Sequence, residues 1–186
     1  MITTNDFKNK MTINYEDKLY EILYFQHVKP GKGGAFVRTK LKNLESGSII
    51  EKTFRAGEKI EQAILETKKM QYLYRDNYYN FMDLKTYEQI PMDKSRVKNK
   101  EGFLLENMEV SITFYKGKPI DIELPLSIKA KVIKTVPGIK GDTVSNTLKP
   151  AEMETGAKIQ VPLFINEGDI IKIDTRNGEY ITRVSK

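Results

Sequence analysis

The sequence predicts an all-β chain assembled from small barrels or sandwiches. Short runs rich in Val, Ile, Tyr and Phe follow one another at close spacing, and these residue types fit a pleated, half-buried surface. The runs are separated by Gly, Asn and Asp pairs suited to tight turns. No amphipathic pattern of helical period recurs between them, which argues against parallel α/β architectures, Rossmann and P-loop folds included.

Taken in order, residues 18–28 (KLYEILYFQHV) form the first long strand candidate. Residues 35–41 (AFVRTKL) alternate, so Ala35, Val37, Thr39 and Leu41 share one face while Phe36, Arg38 and Lys40 share the other. Residues 48–54 (SIIEKTF) read as a strand, and 59–65 (KIEQAIL) as a short turn of helix or an extended linker. Strands at 70–75 and 78–82 are joined by Asp76-Asn77, a two-residue connection whose members tolerate positive φ. Strands at 110–115 and 120–124 flank Lys-Gly-Lys-Pro, a second hairpin. A short helix is placed near 101–107. Residues 129–136, 157–165, 169–174 and 179–184 complete the set, with Asn177-Gly178 marking the last hairpin. Breaks near 64 and 128 divide the chain into pieces of about 60 residues, near the lower limit for a self-sufficient core. The second and third pieces are candidates for a shared architecture.

Composition narrows the function. The chain has 186 residues, no Cys and one His. Thiolate metal sites, disulfides and multi-histidine metal centres are thereby excluded. His27 lies within a strand run, and no Gly-x-Ser-x-Gly elbow occurs. No apolar run reaches 18 residues, and the N-terminal MITTNDFKNKM lacks an apolar stretch after a basic start. A cytoplasmic, monomeric protein without cofactor or metal is expected. The net charge is +6. Residues 1–64 carry 11 basic and 8 acidic groups (+3), 65–128 carry 10 and 10 (zero), and 129–186 carry 10 and 7 (+3). Two basic ends around a neutral middle suit contact with an extended polyanion.

Two loops stand out. In Lys29-Pro30-Gly31-Lys32-Gly33-Gly34, Pro30 stiffens the ascent and the glycines permit a tight tip. Lys32 has glycine on both sides, so it projects alone and can deliver one amine to a partner or to a modifying enzyme. A solvated turn is the competing reading. A P-loop would need four residues between its glycines and Ser or Thr after the lysine, and has neither here. In the second loop, Gly141-Asp142-Thr143 offers backbone N–H groups, a carboxylate and a hydroxyl to ribose, base or phosphate. An ordinary Gly-Asp turn competes with it.

These residues, KPGKGGAFVR with EKTFRAGEKIEQA (51–63), YLYRDNYYNFMDLKTYEQI (72–90) and the stretch from PGIKGDT to NGEY (137–180), resemble the bacterial elongation factor P family along essentially the whole chain. The resemblance implies an all-β fold of three small β-barrels in an elongated array: an SH3-like domain at 1–64 carrying Lys32, then OB domains at 65–128 and 129–186. It implies a translation elongation factor, not an enzyme, that binds the ribosome beside peptidyl-tRNA and relieves stalling at consecutive prolines. Lys32 aligns with the lysine that many members modify and that approaches the peptidyl-transferase centre. Lys29, Pro30, Gly31, Gly33 and Gly34 shape its loop, and Arg38 and Lys40 are assigned to RNA phosphates. Gly141, Asp142 and Thr143 align with a loop near the exit-site codon. Gly34 departs from relatives with Gln there, which leaves the adduct and its enzyme open. A general RNA-binding OB protein, stacking bases on Tyr72, Tyr74, Tyr78 and Tyr79, and an elongation-factor-P-like paralogue are the alternatives.

Overall fold

A computed structural model describes residues 1–31, 33–138 and 148–185. Among these the chain is almost entirely antiparallel sheet. The first sheet contains β1 (Ile2–Thr3), β2 (Thr12–Tyr15), β3 (Lys18–Val28), β4 (Phe36–Asn43), β5 (Ile49–Arg55) and β6 (Lys59–Gln62), in the order β1-β6-β2-β3-β4-β5. Residues 59–62 are thus a strand, neither helix nor linker. Weak helical propensity yields to two-sided pairing with β1 and β2, which buries Ile60. β4 keeps the predicted alternation: Val37, Thr39 and Leu41 are buried while Arg38, Lys40 and Lys42 are exposed. Thr39 meets its polar obligation inside by donating to Lys52 O at 2.8 Å. The core centres on Phe54, which packs edge-on against Phe7 and Tyr15 at 5.8 and 5.4 Å between centroids.

The second sheet is built from β7 (Leu65–Arg75), β8 (Tyr79–Asp83), β9 (Gln89–Met92), β10 (Glu109–Tyr115) and β11 (Lys118–Glu123), ordered β11-β10-β7-β8-β9. The third holds β12 (Ser127–Thr135), β13 (Leu148–Met153), β14 (Lys158–Pro162), β15 (Ile170–Asp174) and β16 (Tyr180–Ser185), ordered β14-β13-β12-β15-β16. In both, the first strand is central, the second and third lie on one side and the fourth and fifth on the other. The two pieces share an architecture without an evident sequence repeat. By compactness the chain divides into two units, Met1–Glu66 with Phe114–Ile120, and Thr67–Thr113 with Asp121–Lys186.

Irregular pairing bends each long strand. β3, β7 and β12 shift register at 22/24, 72/74 and 132/134, and the extra residue increases local twist. The helix expected near 101–107 lies earlier, as Lys94–Val97 followed by a 3-10 segment Lys98–Phe103. The 76–77 connection is a three-residue loop, 76–78, because Arg75 pairs with Tyr79. Asp76 and Asn77 are not among the residues of positive φ. The turn is held instead by the Asp76 carboxylate accepting Tyr78 N–H at 2.7 Å. The last hairpin turns over 175–178, with Gly178 N donating to Asp174 O.

Candidate functional site

The loop carrying Lys32 runs from 29 to 35, since the last β3–β4 pair is Val28 with Phe36. Lys32 is therefore its middle residue, with three residues on each side. Lys32 itself lies outside the described residues. Lys29, Gly31, Gly33 and Gly34 are exposed, and Pro30 is half-buried. Gly33 has φ +108, a region L side chains avoid, so the descent after Lys32 requires glycine. A Cβ at Gly31 or Gly34 would meet no atom within 4 Å. Both flanks of the lysine stand clear of the barrel wall. The anchor of the loop is Ala56 N, which donates to Ala35 O at 3.0 Å.

Below the loop, the outward face of β3, β4 and β5 is fixed by register. Arg38 lies between Gln26 and Thr53, and Lys40 between Tyr24 and Glu51. These side chains border a shallow depression of about 330 Å³. The Arg38 guanidinium stands 5.4 Å from the Phe36 ring centroid. Lys40 Nζ lies 3.4 Å from Glu51 Oε1, a solvent-exposed pair of little strength that a phosphate can displace. Lys52 turns to the opposite face, 4.8 Å from the Tyr15 centroid, where the Tyr15 hydroxyl raises its pKa. Tyr24 and Gln26 join Arg38 and Lys40 only because the irregularity at Leu23 reverses the parity of β3. Tyr20 and Ile22 point inward before it, and Phe25 follows after it. Simple alternation along residues 18–28 misses these two residues, and a shift in apolar phase after Ile22 is the only signal for them. His27 is exposed on β3 and meets the Phe25 ring edge-on at 5.7 Å.

Gly141, Asp142 and Thr143 lie outside the described residues. The four tyrosines separate. Tyr72 and Tyr79 are buried, while Tyr74 and Tyr78 are exposed, so they form no common stacking platform. Among the described residues no group of three or more His, Asp or Glu side chains is arranged to hold a metal ion.

Three family models match in chain order: the elongation factor P KOW-like domain over residues 3–60, the elongation factor P OB domain over 65–122 and the elongation factor P C-terminal domain over 128–183. Elongation factor P of Natranaerobius thermophilus is 55% identical over 185 residues, covering 99% of this chain and 98% of that one. Elongation factor P of Pelotomaculum thermopropionicum is 53% identical over 185 residues, covering 99% and 100%. Among solved structures, eukaryotic translation initiation factor 5A from Methanococcus jannaschii superposes with TM-score 0.53 at 22% identity, over 65% of this chain and 94% of that one. A translation initiation factor eif-5a family protein from Naegleria fowleri gives TM-score 0.54 at 14% identity, over 66% and 96%. These two likenesses concern the fold.

Proposed function

The chain belongs to the elongation factor P family and is a translation elongation factor, and from that membership we propose that it binds the ribosome beside peptidyl-tRNA and promotes peptide-bond formation at consecutive prolines. The observation that carries the proposal is the 29–35 loop, with a lysine at its midpoint, open flanks on both sides and a cationic sheet face beneath.

Proline's ring restricts the backbone and holds a nascent chain away from attack geometry. Bracing the tRNA end restores orientation, which can supply a large rate effect without side-chain chemistry. Lys32, bare or extended by a modifying enzyme, orders the CCA end. Lys29, Arg38 and Lys40 hold neighbouring phosphates, and Gly141, Asp142 and Thr143 contact RNA near the exit-site codon. The protein acts in the cytoplasm as a monomeric factor and transfers no proton, so it is not an enzyme. The working division into domains is 1–64, 65–128 and 129–186, with the neutral middle piece as spacer.

In a reconstituted translation system, Lys32→Ala should slow polyproline synthesis while leaving the thermal transition unchanged. Full rescue by that variant removes the proposed role. Intact mass of natively produced protein, followed by peptide mapping across Lys32, identifies any adduct.

A further inference from the structure

Register divides the outward face of β3, β4 and β5 into rows. Tyr24, Lys40 and Glu51 form one row, and Gln26, Arg38 and Thr53 the next. The first row is balanced, because Lys40 pairs with Glu51. The second sets a cation between two neutral side chains. Among the described residues Arg38 has no carboxylate partner and spends none of its donors on a hydrogen bond. Its one contact is the Phe36 ring, which steadies the guanidinium and leaves its N–H groups unspent.

Tyr24 is in the same condition. Its side chain is 48% exposed, and among the described residues it meets no other ring and its hydroxyl makes no hydrogen bond. Tyr20 and Phe25 on the same strand pack into or against the first core instead. One exposed tyrosine alone needs no explanation. Here, however, the irregularity at Leu23 turns the ring to the cationic face, and such irregularities commonly re-aim a side chain toward a site. Tyr24 lies directly opposite Lys40 and diagonally from Arg38, a separation of about 7 to 8 Å that long side chains bridge. Gln26 adds an amide donor and acceptor beside them.

An open ring face takes a nucleobase by stacking, and a guanidinium takes a phosphate through its planar fork. An acidic peptide would satisfy the cations and leave the ring unused. A duplex would do the same, because its bases are already stacked within. We propose that Tyr24, Arg38 and Lys40 form a subsite for one unpaired RNA nucleotide, its base on Tyr24 and its phosphate on Arg38 and Lys40. The phosphate half rests on the RNA-phosphate reading of those two cations. The stacked base stands or falls separately.

The test measures binding of the full chain to a labelled single-stranded RNA dodecamer, and to the same dodecamer annealed to its complement, across a salt series. Tyr24→Ile keeps an apolar, strand-favouring side chain and removes the ring. It should weaken single-strand binding about tenfold and leave duplex binding, salt slope and unfolding temperature unchanged. Tyr24→Phe should bind as the unaltered chain does. Arg38→Ala should lower the salt slope by about one on both RNAs. Absence of single-strand binding by the unaltered chain overturns the proposal. Unaltered single-strand affinity in Tyr24→Ile overturns the stacked base, and a lowered slope in Arg38→Ala then leaves the phosphate reading in place. An unaltered slope in Arg38→Ala removes the phosphate half. Equal losses on both RNAs in Tyr24→Ile also overturn the stacked base, because the ring would then only shape the surface. Binding of hexaglutamate with the same dependence on Tyr24 overturns the nucleotide as occupant and assigns the face to an acidic protein segment.

Discussion

The Tyr79 hydroxyl donates to Glu101 Oε2 at 2.5 Å, with Lys94 Nζ 3.1 Å from the other carboxylate oxygen. Burial, then the Glu101 hydrogen bond, pushes the phenol up to about 12. The folded pKa is above the unfolded value, so the contribution is complete below pH 10. The unfolded chain ionises first, and stability is lost as pH rises from about 10 to about 12. Spectrophotometric titration should show a tyrosine titrating near 12 that is absent in Tyr79→Phe, and that variant should lose about 1 to 2 kcal/mol at neutral pH. Asp174 shows the opposite sign. Hydrogen bonds from the Arg176 side chain and backbone hold its carboxyl down at about 2. That contribution is present above the unfolded value near 3.9 and is lost as pH falls through about 2. Asp174→Asn should therefore be less stable than the unaltered chain at pH 5, and the two should converge near pH 2. A constant difference across that range, followed by thermal unfolding, would sink the assignment.

At the scale of strands and turns, sequence chemistry succeeds where the turn residue is glycine and misleads where side chains do the work. Lys116-Gly117 forms the tight β10–β11 turn with both residues at positive φ, as its composition suggests. Glu16-Asp17 turns β2 into β3 with φ +51 and +58, and β2 goes unrecognised because the pair has no glycine and Glu16 is an unusual residue for that backbone. Asp17→Gly should relieve the left-handed backbone and stabilise the chain by about 0.5 kcal/mol, measured by denaturant unfolding. β9 and β13 also escape notice, because Pro91 and Pro150 sit inside them and proline argues against a central strand. Proline at 91 is tolerated because β9 is an edge strand of its sheet. In the first core, Phe54 is 1% exposed between Phe7 and Tyr15. Phe54→Ala should cost about 3 to 5 kcal/mol, read as a lowered denaturant midpoint at unchanged slope.

For the whole chain, the +6 charge resides in the first and last thirds. If those thirds contact RNA phosphates, affinity for ribosomes should fall linearly on a double-logarithmic salt plot, and Lys29→Ala or Arg38→Ala should each shallow that slope by about one. A slope unaltered by both substitutions would remove them from the interface. The all-β class, most hairpins and the exposed glycines of the 29–35 loop were legible from period-2 alternation and Gly, Asn and Asp turns, because those signals are local. The parity reversal at Leu23 that brings Tyr24 beside Lys40, the pairing of residues 59–62 with two strands, and the burial of Lys149 were not legible. Each depends on a partner distant in the chain. Residue identity by itself determined which segments could be strands and where glycine lets the chain turn tightly. Only the tertiary structure decided which side chains face the same way, because register is set by long-range hydrogen bonding and one inserted residue exchanges the two faces of a strand.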